Sequence, residues 1–179
     1  QLFMWPWESI ASECEFLGAA GVDWVLISPP QEHITGAAWW TVYQPVSYKI
    51  ESRLGNREQF AAMVSTCAEH DVDIIADAVI NHMTAQASGT GYAGTEFTKY
   101  EYEGLYSRDD FHNCNLTPDD SISSYKDLAK VQTCELLGLS DLNQKLENVQ
   151  TQILTYLGDL LSLGVAGFRI DAAKHMAAS

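Results

Sequence analysis

A chain of 179 residues with 46% hydrophobic content is long enough to bury a core, and no apolar run approaches the roughly 20 residues that a membrane-spanning helix needs. Ten basic against twenty-four acidic residues leave a net charge of -14, which argues against a nucleic-acid partner and suits a neutral or cationic ligand such as a sugar. The chain opens at Gln1 with no basic-then-apolar leader, so the expectation is a secreted product whose signal has been removed, or a piece of a longer protein.

In chain order, residues 2–5 read as the end of a strand, and residues 8–20 as a helix with Ile10, Cys14 and Leu17 on one face. Residues 24–28 read as a buried strand closed by Pro29-Pro30. After an aromatic-rich loop, Asn56 caps a helix whose inner face is Phe60, Met63, Val64 and Cys67. Residues 72–79 form the next strand. From Met83 to about Leu137 the periodicity fades into Gly, Ser, Thr, Tyr and Asp, a stretch expected to be functional or a small subdomain. Regularity returns with Leu146, Val149, Ile153, Tyr156, Leu157 and Leu160 on one helical face, followed by a strand at Gly167–Ile170. Consecutive βα units predict a parallel barrel or a doubly wound sheet, with four strands against the eight of a closed barrel.

Cys14, Cys67, Cys114 and Cys134 allow three pairings. Cys14 and Cys67 fall on the apolar faces of two predicted helices, whereas Cys114 lies in a polar loop, so the expected bridges are Cys14–Cys67 and Cys114–Cys134. Each would stabilise the fold by about 3 to 4 kcal/mol in the chain-entropy model. They imply an oxidising compartment, the alternative being four reduced thiols in a cytosolic protein. No C-x-x-C spacing suggests structural zinc.

Three segments carry chemistry. In Gly167-Phe168-Arg169-Ile170-Asp171-Ala172-Ala173-Lys174-His175, a strand delivers Asp171 to its end, and Arg169 points to the same side because strand side chains alternate. A cation this close keeps a carboxylate ionised, whether as a nucleophile or in a surface ion pair. In Asp73-Ile74-Ile75-Ala76-Asp77-Ala78-Val79-Ile80-Asn81-His82, an Asp inside an apolar strand needs a partner, and Arg169 on the neighbouring strand is the expected one. Asn81 then offers an oxygen suited to calcium, and His82 offers donors to a sugar hydroxyl. Trp39-Trp40-Thr41-Val42-Tyr43-Gln44-Pro45 supplies flat aromatic surfaces that stack on pyranose rings, or else a satellite core.

These residues resemble the alpha-amylases of the alpha-glucan-acting glycoside hydrolases, in particular the chloride-dependent animal and bacterial branch, over essentially the whole chain. The run from Asp77 to His82 is similar to the family's first signature, Gly167 to His175 to its second, and Gly138-Leu139-Ser140-Asp141-Leu142-Asn143 to the short motif before it. Ser28-Pro29-Pro30, Glu32-His33-Ile34-Thr35-Gly36 and the Trp39–Pro45 segment resemble the family too. The fold so implied is the first four strands of a (β/α)8 TIM barrel. Residues 1–82 and 138–179 would belong to the barrel, and 83–137 to a small inserted domain after the third strand.

The resemblance also implies roles. Asp171 would be the nucleophile of a retaining endo-hydrolase of alpha-1,4-glucosidic bonds in starch and glycogen, and Arg169 would orient it and help hold chloride. Trp39, Trp40, Tyr43 and Gln44 would line the subsites on the non-reducing side, with Lys174 and His175 on the leaving-group side. His82 and Asp77 would serve sugar binding and its support. Calcium would be held by Asn81, Asp141 and the backbone carbonyls of Gln132 and His175. The family's cysteine pairs agree with those above. The complete enzyme is expected to be secreted and monomeric, with no membrane or nucleic-acid partner. Its general acid, a Glu after the fifth strand, its third carboxylate and two further chloride ligands would lie beyond Ser179, and Val42 stands where some relatives carry a basic residue. The 179 residues alone are therefore expected to be inactive and prone to aggregate through unpaired sheet edges. A related transglycosylase or alpha-glucosidase and a non-catalytic glucan-binding protein remain open alternatives. A sugar-phosphate barrel is disfavoured, because no Gly-rich phosphate loop is present.

Overall fold

The computed structural model describes residues 1–178. Leu2 bridges Ile27 in parallel, and the strand expected at residues 2–5 contracts to that one bridge. Beyond it the chain turns: Met4 takes a left-handed backbone (φ 62°), and its N–H donates to Ser28 Oγ at 2.8 Å. Helix α1 (Trp7–Ala19) leads to strand β1 (Trp24–Ile27), and helix α2 (Arg57–Glu69) to strand β2 (Asp73–Ala78). The start of α2 is fixed by a reciprocal pair of bonds, Gln59 N–H to Asn56 Oδ1 and Asn56 N–H to Gln59 Oε1, both 2.9 Å.

The insertion follows. Strands β3 (Ser88–Thr90), β4 (Glu96–Thr98) and β5 (Glu101–Tyr102) form a small antiparallel sheet, and a short helix α3 (Leu128–Thr133) comes after it. Helix α4 (Glu147–Ser162) and strand β6 (Gly167–Ile170) resume the βα pattern. β1, β2 and β6 make one parallel sheet in that order, with Trp24 opposite Asp73 and Asp77 opposite Arg169. Each new strand adds to the same edge. A doubly wound sheet would reverse its order at a switch point, so this is the opening arc of a barrel that does not close.

Alternation along β1 and β2 sends Val25, Ile27, Ile74 and Ala76 into the core, where they join Trp7, Ile10, Phe60 and Met63 from the helices. The Cys14–Cys67 bridge ties α1 to α2, and Cys114–Cys134 closes the insertion, both as expected. The insertion has its own aromatic core of Phe97, Tyr102, Tyr106 and Phe111, all buried. Buried Glu32 clamps it to the barrel: one carboxylate oxygen accepts the N–H groups of Ala93 and Thr95, and the other accepts the Ser47 hydroxyl.

Gly18 of α1 lies against the end of α2, where an added Cβ would stand 2.1 Å from the carbonyl oxygen of His70. Backbone cannot yield there as a side chain would. Gly18→Ala is expected to destabilise the protein by about 2 kcal/mol, read as a lower urea midpoint at unchanged slope.

Candidate active site

The site is assembled at the C-terminal ends of β2 and β6. Arg169 Nη1 lies 2.7 Å and 2.8 Å from the two carboxylate oxygens of Asp77 on the adjacent strand and 2.7 Å from Asp171 Oδ1 at the end of its own strand. Asp77 is 1% exposed. Burial raises its pKa, while Arg169 and the Tyr43 hydroxyl, which donates to Oδ2 at 2.8 Å, oppose that rise. Burial also works against the Arg169 charge, but the Asp77 and Asp171 carboxylates outweigh it and hold its pKa above the ordinary value. Only Nη1 is used for both carboxylates, which leaves the remaining guanidinium donors to another ligand.

The aromatic segment forms a 3-10 turn, Trp39–Tyr43, beside this ion pair. Trp39 packs edge-on against Phe3 and Tyr43, and both tryptophans stay about half exposed. Gln44 commits its amide oxygen to the Thr84 hydroxyl (2.8 Å) and the Ala85 N–H (3.1 Å), so its NH2 group is the part left to meet a ligand. Together with His82, Arg169 and Asp171 these residues line a cleft of about 700 Å³. A larger hollow of about 950 Å³, between the small sheet and α4, contains none of the expected site residues.

His82 differs in detail from the sequence reading. Both ring nitrogens are engaged inside the protein, Nδ1 facing Asn81 Nδ2 at 3.2 Å and Nε2 facing the Tyr43 carbonyl at 3.1 Å. Burial pushes its pKa down, so the ring is neutral; Asn81 donates to Nδ1, and the Nε2–H donates to Tyr43. In this geometry His82 braces the aromatic turn. Lys174 and His175 stand outside the cleft: Lys174 Nζ lies 5.0 Å from the centre of the Tyr125 ring, and buried His175 directs Nδ1 at the Val131 carbonyl.

Behind the cleft, Asn81 Nδ2 lies 3.2 Å from Asp141 Oδ1, and His112 Nδ1 lies 2.7 Å from Asp141 Oδ2. Burial pushes the Asp141 carboxyl up to about 6 despite His112 and Asn81. Asn81 Oδ1 is buried with no hydrogen-bond partner. An orphaned amide oxygen beside an under-compensated carboxylate is what a hard cation would satisfy. No cluster of three or more His, Cys, Asp and Glu side chains able to hold a metal occurs among the described residues, so such a site depends on amide and backbone oxygens.

Three leucines of the cleft, Leu136, Leu137 and Leu139, were not anticipated. Leu136 and Leu137 close the irregular stretch, and Leu139 belongs to the short motif at 138–143; none carried an expected contact with a ligand.

An ion-paired carboxylate at the C-terminal end of a strand, at the mouth of a parallel barrel arc, stands where barrel enzymes carry their active sites. Residues 7–179 match the family model for the alpha amylase catalytic domain, and the chain belongs to that family. It is 54% identical to an alpha-amylase of Streptomyces violaceus over 99% of this chain and 31% of that protein. It is 48% identical to an alpha-amylase-related protein of Drosophila pseudoobscura pseudoobscura over 98% of this chain and 36% of the relative. The crystal structure of a mutant alpha-amylase I from Eisenia fetida in complex with maltohexaose superposes with a TM-score of 0.95 at 41% identity, over 98% of this chain and 37% of that one. The chain thus spans about a third of the length of the relatives it matches.

Removing the cation should leave buried Asp77 without a counter-charge, its remaining partner being the Tyr43 hydroxyl. Arg169→Met is expected to cost about 3 kcal/mol at neutral pH. Asp77 has a raised folded-state pKa, so stability is fully present below the unfolded value and is lost as pH rises through the folded one. The deficit of the variant should therefore shrink towards pH ~4, as followed by denaturant unfolding across the pH range.

Proposed function

We propose that this chain forms part of the catalytic barrel of a secreted, endo-acting hydrolase of alpha-1,4-glucosidic bonds. The observation that carries the reading is Asp171 held by Arg169 at 2.7 Å within the aromatic cleft. In a retaining mechanism an Asp171 oxygen bonds to the anomeric carbon as the glycosidic C–O bond breaks, and the leaving oxygen takes a proton from a second carboxylic acid. That acid stands about 5 to 5.5 Å from the nucleophile and, on the family resemblance, comes from sequence beyond Ser179. Water then cleaves the ester, and the alpha configuration is kept.

Arg169 serves this step by holding Asp171 turned to the cleft, and its unused donors would take chloride. Trp39, Trp40 and Tyr43 offer faces and edges to glucose rings, with Gln44 as a hydrogen-bond donor. Lys174, beside Tyr125, would meet the chain on the leaving-group side, with His175 supporting that turn. Asn81 and Asp141, with the carbonyls of Gln132 and His175, would hold calcium. When bound, calcium supplies charge that satisfies Asn81 Oδ1 and Asp141 and ties the insertion to the barrel. The two disulfides accord with secretion, and no helix among the described residues is long and apolar enough to cross a membrane.

In the complete enzyme, Asp171→Asn should lower kcat on soluble starch by about 10⁴-fold or more while glucan affinity stays within a few-fold. Retained turnover would remove Asp171 from the nucleophile's role. Adding calcium to the metal-stripped protein should raise its melting temperature, and Asp141→Asn should abolish most of that rise in a calorimetric scan.

A further inference from the structure

Leu137 is more exposed, at 83%, than any other large hydrophobic residue among those described, and its backbone is left-handed (φ 55°, ψ 29°). That conformation is costly for a residue with a Cβ and persists only where its surroundings impose it. A leucine so held at the rim of a cleft calls for a cause.

Polar contacts from the small sheet hold the residues on either side of Leu137. Glu135, 4% exposed, stands just before the leucines. One of its carboxylate oxygens accepts Lys99 Nζ at 2.9 Å, and the other accepts the Tyr100 hydroxyl at 2.6 Å. The same Lys99 ammonium donates to the Gly138 carbonyl at 3.3 Å, so it grips the turn on both sides of Leu137. Lys99 and Tyr100 are the two residues joining β4 to β5, and Tyr100 is itself left-handed (φ 67°), its ring 4.1 Å from the Arg108 guanidinium. Two costly backbone turns, one in the sheet and one at the cleft, are fastened to a single buried carboxylate.

We propose that Lys99, Tyr100 and Glu135 are positioning residues for the substrate, holding the Leu136–Leu139 turn at the rim of the cleft. The hairpin of the inserted sheet then sets how firmly a glucose ring is held between apolar leucine surface and the aromatic turn. This rests on the reading of the cleft as a glucan site. The clamp acts on binding rather than on bond cleavage, because none of its members lines the cleft with Asp171.

The test uses Lys99→Met and Glu135→Gln, singly and combined, in the complete protein, with maltohexaose as the probe. Affinity is read from tryptophan fluorescence, and KM and kcat from initial rates. Each single variant should raise Kd and KM about tenfold, the size of a lost charged hydrogen bond. The double variant should be no worse than either single one, since the pair acts as a unit, and kcat should stay within about twofold. Lys99→Arg should restore most of the affinity. Tyr100→Phe removes one hydroxyl and keeps the ion pair; it should weaken binding about threefold, which keeps the expectation measurable if a charge variant does not fold. Unchanged Kd and KM in the folded variants overturn the clamp, even where melting temperatures fall. If the unsubstituted protein binds no maltohexaose, the glucan reading itself falls and takes the clamp with it.

Discussion

A carboxylate buried in the middle of a parallel sheet demands a cation, and the way Asp77 meets that demand determines where the rest of the site stands. Parallel register places Arg169 directly across from Asp77, and the period of two in β6 places Asp171 on the same side as Arg169. One guanidinium nitrogen therefore answers two carboxylates together, one inside the sheet and one at its mouth. The second donor to Asp77 is the Tyr43 hydroxyl, so the aromatic turn is moored to the same charge. His82 completes the arrangement by holding the carbonyl of Tyr43. Three segments far apart in sequence thus converge on one buried carboxylate, which is costly to leave without a partner.

The insertion is joined to the barrel by a similar economy of buried charge. Glu32 takes up two backbone N–H groups of the loop between β3 and β4, and Asp141 takes up His112 and Asn81. The first is well satisfied, whereas the second leaves Asn81 Oδ1 bare and the carboxyl elevated. That contrast separates a seam whose polar groups are met within the polypeptide from one that leaves an amide oxygen unmet.

Much of the barrel could be read from the sequence, because its elements are long enough to show their period. α2 begins just after Asn56, as the cap chemistry demands, and Phe60, Met63, Val64 and Cys67 face inward. The Asp77–Arg169 partnership followed from one polar residue in an apolar strand, and both disulfides followed from helix faces and loop polarity. The insertion was opaque for the opposite reason. β3, β4 and β5 have two or three residues each, and β3 buries none of its side chains, so no alternation can register. The spacing of Phe97, Tyr102, Tyr106 and Phe111 was the available clue to a local core there. The partnership of Glu135 with Lys99 and Tyr100 had no sequence signal, since it depends on a tertiary fold between two irregular segments. The bonding of His82 was illegible as well: which ring nitrogen faces which neighbour is settled only when the chain is folded.

The placement of the insertion between β2 and α4 bears on the order in which the molecule forms. Asp77 and Arg169 are 92 residues apart in sequence, and most of that interval must be drawn into a closed loop before β6 can lie beside β2. Helix α1, β1, α2 and β2 can dock through nearer contacts, and the insertion can gather on its own aromatic core and its Cys114–Cys134 tie, which shortens the slack chain left to close. Contacts of long sequence separation form slowly, so the pairing of β6 with β2 is expected to follow that of β1 with β2. By the same measure the aromatic turn, moored to Asp77 through Tyr43 across a shorter interval of chain, is expected to find its place before Asp171 does.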